Sequence, residues 1–268
     1  MQDDQPTPPG CKSRFRFPVR SGLITSALVA MLGLPASGLA HYPWITVHAD
    51  DGQSGIEYRI HTGHLFPEDQ PLSADRLSGI RLVRPDGAVE TLQPGGTERL
   101  MLSAPLEGTM MLVAEDQPTY WSRTFEGGRA VSREQAPDAF SCSLTTSLMK
   151  AALGHGSGVA WRYRQGHALE LLPLNDPAAL SPSDPLSIQV LFHGDPWEGE
   201  LKLTYAGFPR QGDDDYALTI RTNADGVARF VPAVAGYWLV RAYASEAYPD
   251  PAVCDRRSYY STLTFAIR

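Results

Sequence analysis

The chain has 268 residues, a formal net charge of −7, and 43% hydrophobic against 20% charged residues. That composition is that of a folded globular protein and excludes collagen-like, coiled-coil and disordered classes. The length fits one large domain or two small ones. An acidic chain without a lysine/arginine block is not built to neutralise nucleic-acid phosphates.

Residues 1–20 carry Lys12, Arg14, Arg16 and Arg20, and an apolar run follows at 23–34. That run is too short to cross the roughly 30 Å of bilayer hydrocarbon as a helix. Gly38 and Ala40 then suit the −3 and −1 positions of a signal-peptidase site. Basic, apolar and small-residue regions in this order predict a signal peptide over 1–40 and a protein delivered to the periplasm or secreted. Cys11 precedes the apolar run, so it is not a lipobox cysteine. The mature chain keeps 19 basic and 28 acidic residues, net −9. No later segment approaches 18 consecutive apolar residues, so the mature chain is not expected to be an integral membrane protein.

Strand signals dominate what remains. Ile56, Tyr58 and Ile60 alternate on one face, and 79–84 alternates before the turn Pro85-Asp86-Gly87, with 88–92 returning as a hairpin partner. Residues 98–103 and 109–114 read as two further strands, and 126–139 as an exposed connection. The stretch 142–153 reads as either helical or extended, since Leu144, Leu148, Met149 and Ala152 stand at helical spacing among serines and threonines. Residues 154–158 read as a flexible glycine-rich loop. After the boundary at 175–185, apolar alternation recurs at Leu186, Ile188, Val190 and Phe192, at Leu201, Leu203 and Tyr205, and at Tyr216, Leu218 and Ile220. Strands at 227–231, 237–243 and 259–267 complete the set. The expected fold is all-β with two β-sandwich-like domains, 41–175 and 176–268, the second immunoglobulin-like.

Two cysteines, Cys142 and Cys254, remain after cleavage. An oxidising compartment allows them to pair as a disulfide, and spacing alone leaves pairing and two separate buried thiols both open. They are not the close pairs that metal sites use.

Several stretches resemble the bacterial domain-of-unknown-function family 4198: residues 166–177 (GHALELLPLNDP), 186–199 (LSIQVLFHGDPWEG), 222–230 (TNADGVARF), 236–242 (GYWLVRA) and 260–265 (YSTLTF). His41-Tyr42-Pro43-Trp44 and Gly63-His64-Leu65-Phe66-Pro67 are similar too. The C-terminal stretches are shared with immunoglobulin-like and carboxypeptidase-regulatory-like domains. The resemblance implies an exported β-sandwich protein, with some relatives linked to nickel and cobalt uptake, and no catalytic residues. By position it transfers His41 and His64. At 192–196 relatives more often lack the histidine, so it assigns His193 no family-wide role.

Cleavage after Ala40 would make His41 the mature N-terminus. Its α-amine and imidazole could together chelate a borderline metal that favours nitrogen, such as nickel, cobalt or copper. A further histidine would complete a three-nitrogen brace, with His64 first and His61 and His193 next. Pro43 lacks an N–H, which excludes a square-planar site built on successive backbone amides. His61 and His64 would point to opposite faces of a regular strand, although a turn at Thr62-Gly63 could unite them. The plainer reading is that His41 only marks a cleavage site. Glu68 and Asp69, and the run Asp213-Asp214-Asp215, read first as solvated loop acids. Trp44, Tyr120, Trp121, Trp161 and Trp197 serve either ligand stacking or packing. Hydrolase, zincin, phosphate-loop and dinucleotide motifs are missing, so no enzymatic activity is expected.

The expected function is extracytoplasmic binding of a transition metal for uptake or delivery, with a membrane transporter component as partner and no nucleic acid. The alternatives are a metal-free glycan- or protein-binding adhesion module and, further off, a copper-dependent oxidative enzyme.

Overall fold

Period-two alternation and closely spaced turns resolve into eighteen strands in a computed structural model that describes residues 41–49, 55–93, 99–101 and 107–268. The expected leader 1–40 lies outside the described residues, as do parts of the strand expected at 98–103. The first nine strands are β1 (Tyr42–Ala49), β2 (Gly55–Gly63), β3 (Gln70–Pro71), β4 (Leu77–Val83), β5 (Val89–Leu92), β6 (Arg99–Met101), β7 (Gly108–Asp116), β8 (Thr119–Thr124) and β9 (Gly127–Arg129). Then come β10 (Ser141–His155), β11 (Leu169–Pro173), β12 (Leu186–Phe192), β13 (Asp195–Pro196), β14 (Glu200–Tyr205), β15 (Leu218–Arg221), β16 (Val227–Phe230), β17 (Gly236–Ala247) and β18 (Arg256–Ile267). The chain is all-β: helical turns among the described residues are short 3-10 pieces such as Ala74–Arg76. No described helix is long and apolar enough to cross a membrane.

Three sheets form. A central sheet runs β15-β14-β17-β18-β10-β7-β4-β5, with β8 on the far end of β10 and β9 on β8. A second sheet holds β1-β2-β3 with β6 on β2, and a third holds β11-β12-β13 with β16 on β12. Pairing is antiparallel except between β10 and β18, which run parallel from Ser143↔Arg256 to Ala151↔Thr264. This pairing joins strands from both sides of residue 175 in one sheet, and the expected boundary falls between β11 and β12.

Apolar side chains place the two outer sheets on opposite faces of the central one. Leu148, Val240 and Leu263 pack with Leu171, Ile188 and Val190 of the third sheet. Met149, Ala151, Leu112 and Ile80 pack with Ile45, Ile56 and Ile60 of the second. A strand covered on both faces needs apolar residues at every position, so its period-two signature disappears. That is why 142–153 reads ambiguously and yet is the extended strand β10. The hairpin at 79–92 forms as expected, with Arg84 N–H donating to Ala88 at 2.8 Å across the turn. β6 and β7, neighbours in sequence, join different sheets.

A disulfide pins neighbouring parts of the central sheet, and an ion pair crosses between sheets. Cys142 and Cys254 form a disulfide with Cα atoms 5.0 Å apart, tying the loop before β18 to β10. Asp255 reinforces it by accepting from the Cys142 N–H at 2.7 Å and from Arg133 Nη2 at 2.5 Å. Between the central and third sheets, Lys150 of β10 meets Glu170 of β11 at 2.6 Å, each side chain 1% exposed. Burial pushes the Lys150 ammonium below its usual value, and the Glu170 charge opposes that shift. The pair is fully satisfied: Lys150 Nζ also donates to the Tyr163 and Leu171 carbonyls, and Glu170 accepts from the Gln165 and Gly166 amides. Removing one partner strands the other in a dry layer, so Lys150→Met is expected to lower stability by about 3–5 kcal/mol. Urea denaturation reads this directly, and pairing the change with Glu170→Leu should recover much of the loss.

Candidate functional site

The site starts from strand register. β1 and β2 pair antiparallel with Tyr42 opposite Gly63 and Trp44 opposite His61. The next position in that register sets His41 opposite His64. Opposite positions in a ladder bring side chains within reach, and the His41 and His64 ring centroids lie 4.8 Å apart, at 84°. Two imidazoles bound cis to one ion through nitrogen bonds of about 2.0 Å would hold their rings at a similar separation.

β1 is rigidly held at this end. The Pro43 carbonyl accepts from Thr262 Oγ1 at 2.9 Å, and the Ile45 carbonyl from Thr264 Oγ1 at 2.7 Å. Tyr237 adds a bond from the Val47 N–H at 3.2 Å. Tyr42 and Trp44 are fully buried with Phe66, Leu239 and Tyr260. Trp44 is therefore a packing residue rather than a ligand-stacking one, and its indole N–H donates to the Pro67 carbonyl at 2.9 Å.

The loop carrying His64 is shaped by Gly63 and Asp69. The Asp69 carboxylate accepts from the amides of His64 (2.7 Å), Leu65 (2.8 Å) and Gln70 (2.9 Å). Burial works to raise its pKa, but these three donors and the His41 charge hold it below the usual range. Its oxygens are thus committed to the backbone rather than offered to a metal. Gly63 has φ +146°, and a Cβ there would meet an Asp69 oxygen at 2.1 Å.

His64 itself is 9% exposed, and its Nδ1 is buried without a hydrogen-bond partner. Burial, followed by His41 beside it, lowers its pKa, which favours the neutral ring. A neutral imidazole is the form that binds metal.

The other two candidate histidines are placed differently. His61 is buried, stacked on Trp44 and bonded through Nε2 to Thr46 Oγ1 at 2.9 Å, with Nδ1 3.3 Å from the Asp69 carbonyl. It braces the loop. His193 sits at φ +51° in the turn after β12, stacks near Phe192 and Tyr259, and meets Glu246 at 3.2 Å. Its neighbours are none of those around His64. In the 213–215 run, Asp214 pairs with Lys202 and Asp215 accepts from the Gln211 amide. Among the described residues no group of three or more His, Cys, Asp and Glu side chains could hold an ion.

One neighbour escaped the sequence reading. Arg241 on β17 is buried beside Tyr42, its guanidinium 4.7 Å from that ring centroid, 5.3 Å from Tyr216 and 5.7 Å from Tyr260. The signal was present: an arginine at the inward-facing position between Leu239 and Tyr243 of an apolar strand.

The Gly63 geometry makes a prediction that leaves both histidines in place. Gly63→Ala must shift the 64–69 loop, at an expected cost of about 1–3 kcal/mol. The His64 ring proton resonances, followed by NMR, should move away from those of the parent protein.

The family model "Domain of unknown function (DUF4198)" matches residues 38–246. No curated protein matches the chain. Among solved structures, the chain is similar at 13% identity and TM-score 0.22 to the "D0-D1 domain of Intimin", over 85% of this chain and 100% of that one. It is also similar, at 13% identity and TM-score 0.21, to "Escherichia coli alpha-2-macroglobulin activated by porcine elastase", over 85% of this chain and 24% of that one. Likenesses this weak bear on neither fold nor function. The family match runs from residue 38 into β17, covers most of the chain and includes both paired histidines: the chain belongs to the domain-of-unknown-function family DUF4198.

Proposed function

We propose that the chain is exported through its 1–40 segment and that its mature form binds one transition-metal ion through His41 and His64. The observation that carries this reading is the cross-strand pairing of an exposed His41 with a buried His64 whose Nδ1 has no partner. An unpaired buried imidazole nitrogen is costly, and coordination would relieve it. Two side chains are too few to hold an ion tightly, so the third nitrogen is the α-amine that cleavage before His41 releases. Three nitrogens suit nickel, cobalt or copper. The role is to bind and hand over the ion, outside the cytoplasm, to a membrane transporter component, without catalysis.

The test is native mass spectrometry of protein secreted through its own leader, titrated with nickel, cobalt and copper. A mature mass beginning at His41 with one retained ion supports the reading. His64→Ala should then weaken binding about tenfold or more, at least what loss of an outer-shell partner costs. A different N-terminus, or affinity indifferent to His64→Ala, rejects it.

A second reading has its own observation. Phe125 is 94% exposed and packs 5.2 Å from the exposed Phe140 at the β8–β9 end, with Trp121 also exposed. Such a patch suits a metal-free adhesion surface for a glycan or protein. Binding to such a partner that survives a chelator and is lost in Phe125→Ser would favour it.

A further inference from the structure

Beside the paired histidines lies a buried arginine whose donors are only partly accepted. Arg241 is 9% exposed, and its Nε is buried without a partner. Its one side-chain hydrogen bond among the described residues runs from Nη1 to the Tyr216 hydroxyl at 2.9 Å. No carboxylate among the described residues pairs with it, in contrast to Lys150, the other deeply buried cation, which has Glu170 and two carbonyls. The bond series runs onward in one direction. Tyr216 accepts from Arg241 and donates to the Tyr42 hydroxyl at 3.2 Å, which leaves the Tyr42 proton free to donate. Arg210, in the loop between β14 and β15, also acts on Tyr42 and His64, but its Nη2 is already taken up by the Gly212 and Asp213 carbonyls, only its Nε is unpartnered, and Asp213 beside it acts on His64 with the opposite sign.

A buried guanidinium is expensive unless an anion accepts its protons. The faces of Tyr42, Tyr216 and Tyr260 supply part of the compensation as cation–π contacts. They accept none of the in-plane N–H bonds. A planar fork of donors with a neighbouring phenol matches a carboxylate, which can take two parallel N–H bonds from an arginine.

We propose that Arg241 and Tyr42 form a binding site for a small carboxylate. The site goes beyond the metal reading and does not require it. Tyr42 touches both groups, its ring 6.1 Å from that of His64 and 4.7 Å from the Arg241 guanidinium. The carboxylate can therefore come from a free organic acid or from one arm of a metal chelate whose ion meets the histidines.

The experiment is calorimetric titration of the mature protein with three probes: malonate alone, nickel alone, and nickel citrate. Arg241→Lys keeps the charge but loses the fork. Tyr42→Phe removes only a hydroxyl and guards against a folding failure at position 241. The expected result is malonate binding to the metal-free protein, weakened about tenfold by either change, the equivalent of about 1.4 kcal/mol, and unaltered by His64→Ala. Nickel citrate binding with the same dependence on Arg241 and Tyr42, but no malonate binding, supports the site and assigns the chelate as the source. Failure of nickel alone to bind, with malonate retained, removes the metal site and leaves this one standing. Absence of binding by both malonate and nickel citrate, or binding indifferent to Arg241→Lys and Tyr42→Phe, overturns the proposal.

Discussion

The hydrogen bonds from Thr262 and Thr264 to the carbonyls of Pro43 and Ile45 govern how His41 and the start of β1 are presented. β1 is an edge strand of its own sheet, pairing only with β2. An edge normally leaves a row of backbone groups unpaired. Here two of its carbonyls are taken up by threonines of β18 in the central sheet. The same contacts seat Tyr42 and Trp44 in the interior, so His41 is one residue from a fixed strand. Chain ends are usually poorly ordered unless tied down, and a terminal ligand is useful only where its position is defined.

The two layers of the molecule handle buried charge in opposite ways. Between the central and third sheets, Lys150 is met by Glu170 and two carbonyls, and every proton has an acceptor. Such a closed set locks two sheets together and leaves nothing to offer a ligand. Between the central and second sheets, Arg241 is stacked among three tyrosines with its Nε unpartnered, and His64 has a buried nitrogen in the same condition. Unsatisfied buried polar groups are uncommon, and each calls for an explanation. Both lie against Tyr42, which makes that ring the physical link between the proposed metal and carboxylate positions.

Much of the fold was legible. Ile56, Tyr58 and Ile60, the hairpin around Pro85-Asp86-Gly87, and Leu186 through Phe192 all show the alternation of strands with one buried face. The stretch 142–153 did not, because β10 is covered on both sides and buries Leu148 and Met149 into different layers. The parallel pairing of β10 with β18 links residues more than a hundred positions apart and has no local signature. His41 and His64 were legible as candidates from chemistry and resemblance. Their juxtaposition was not, since it follows from the Tyr42↔Gly63 register. Asp69 reads in sequence as one more loop acid. Only the fold reveals that its oxygens are consumed by three amides and that its bulk is what excludes a side chain at Gly63.

The central claim is that a free α-amine on His41 completes a metal site whose imidazoles are already paired. The most direct measurement compares nickel affinity for protein beginning at His41 with that of the same protein acetylated at this amine, at matched pH. Acetylation removes one nitrogen donor and leaves β1, the 63–69 loop and both rings unaltered. The account predicts one ion per chain in the free form and its loss in the acetylated form. Equal affinity in the two forms would contradict it.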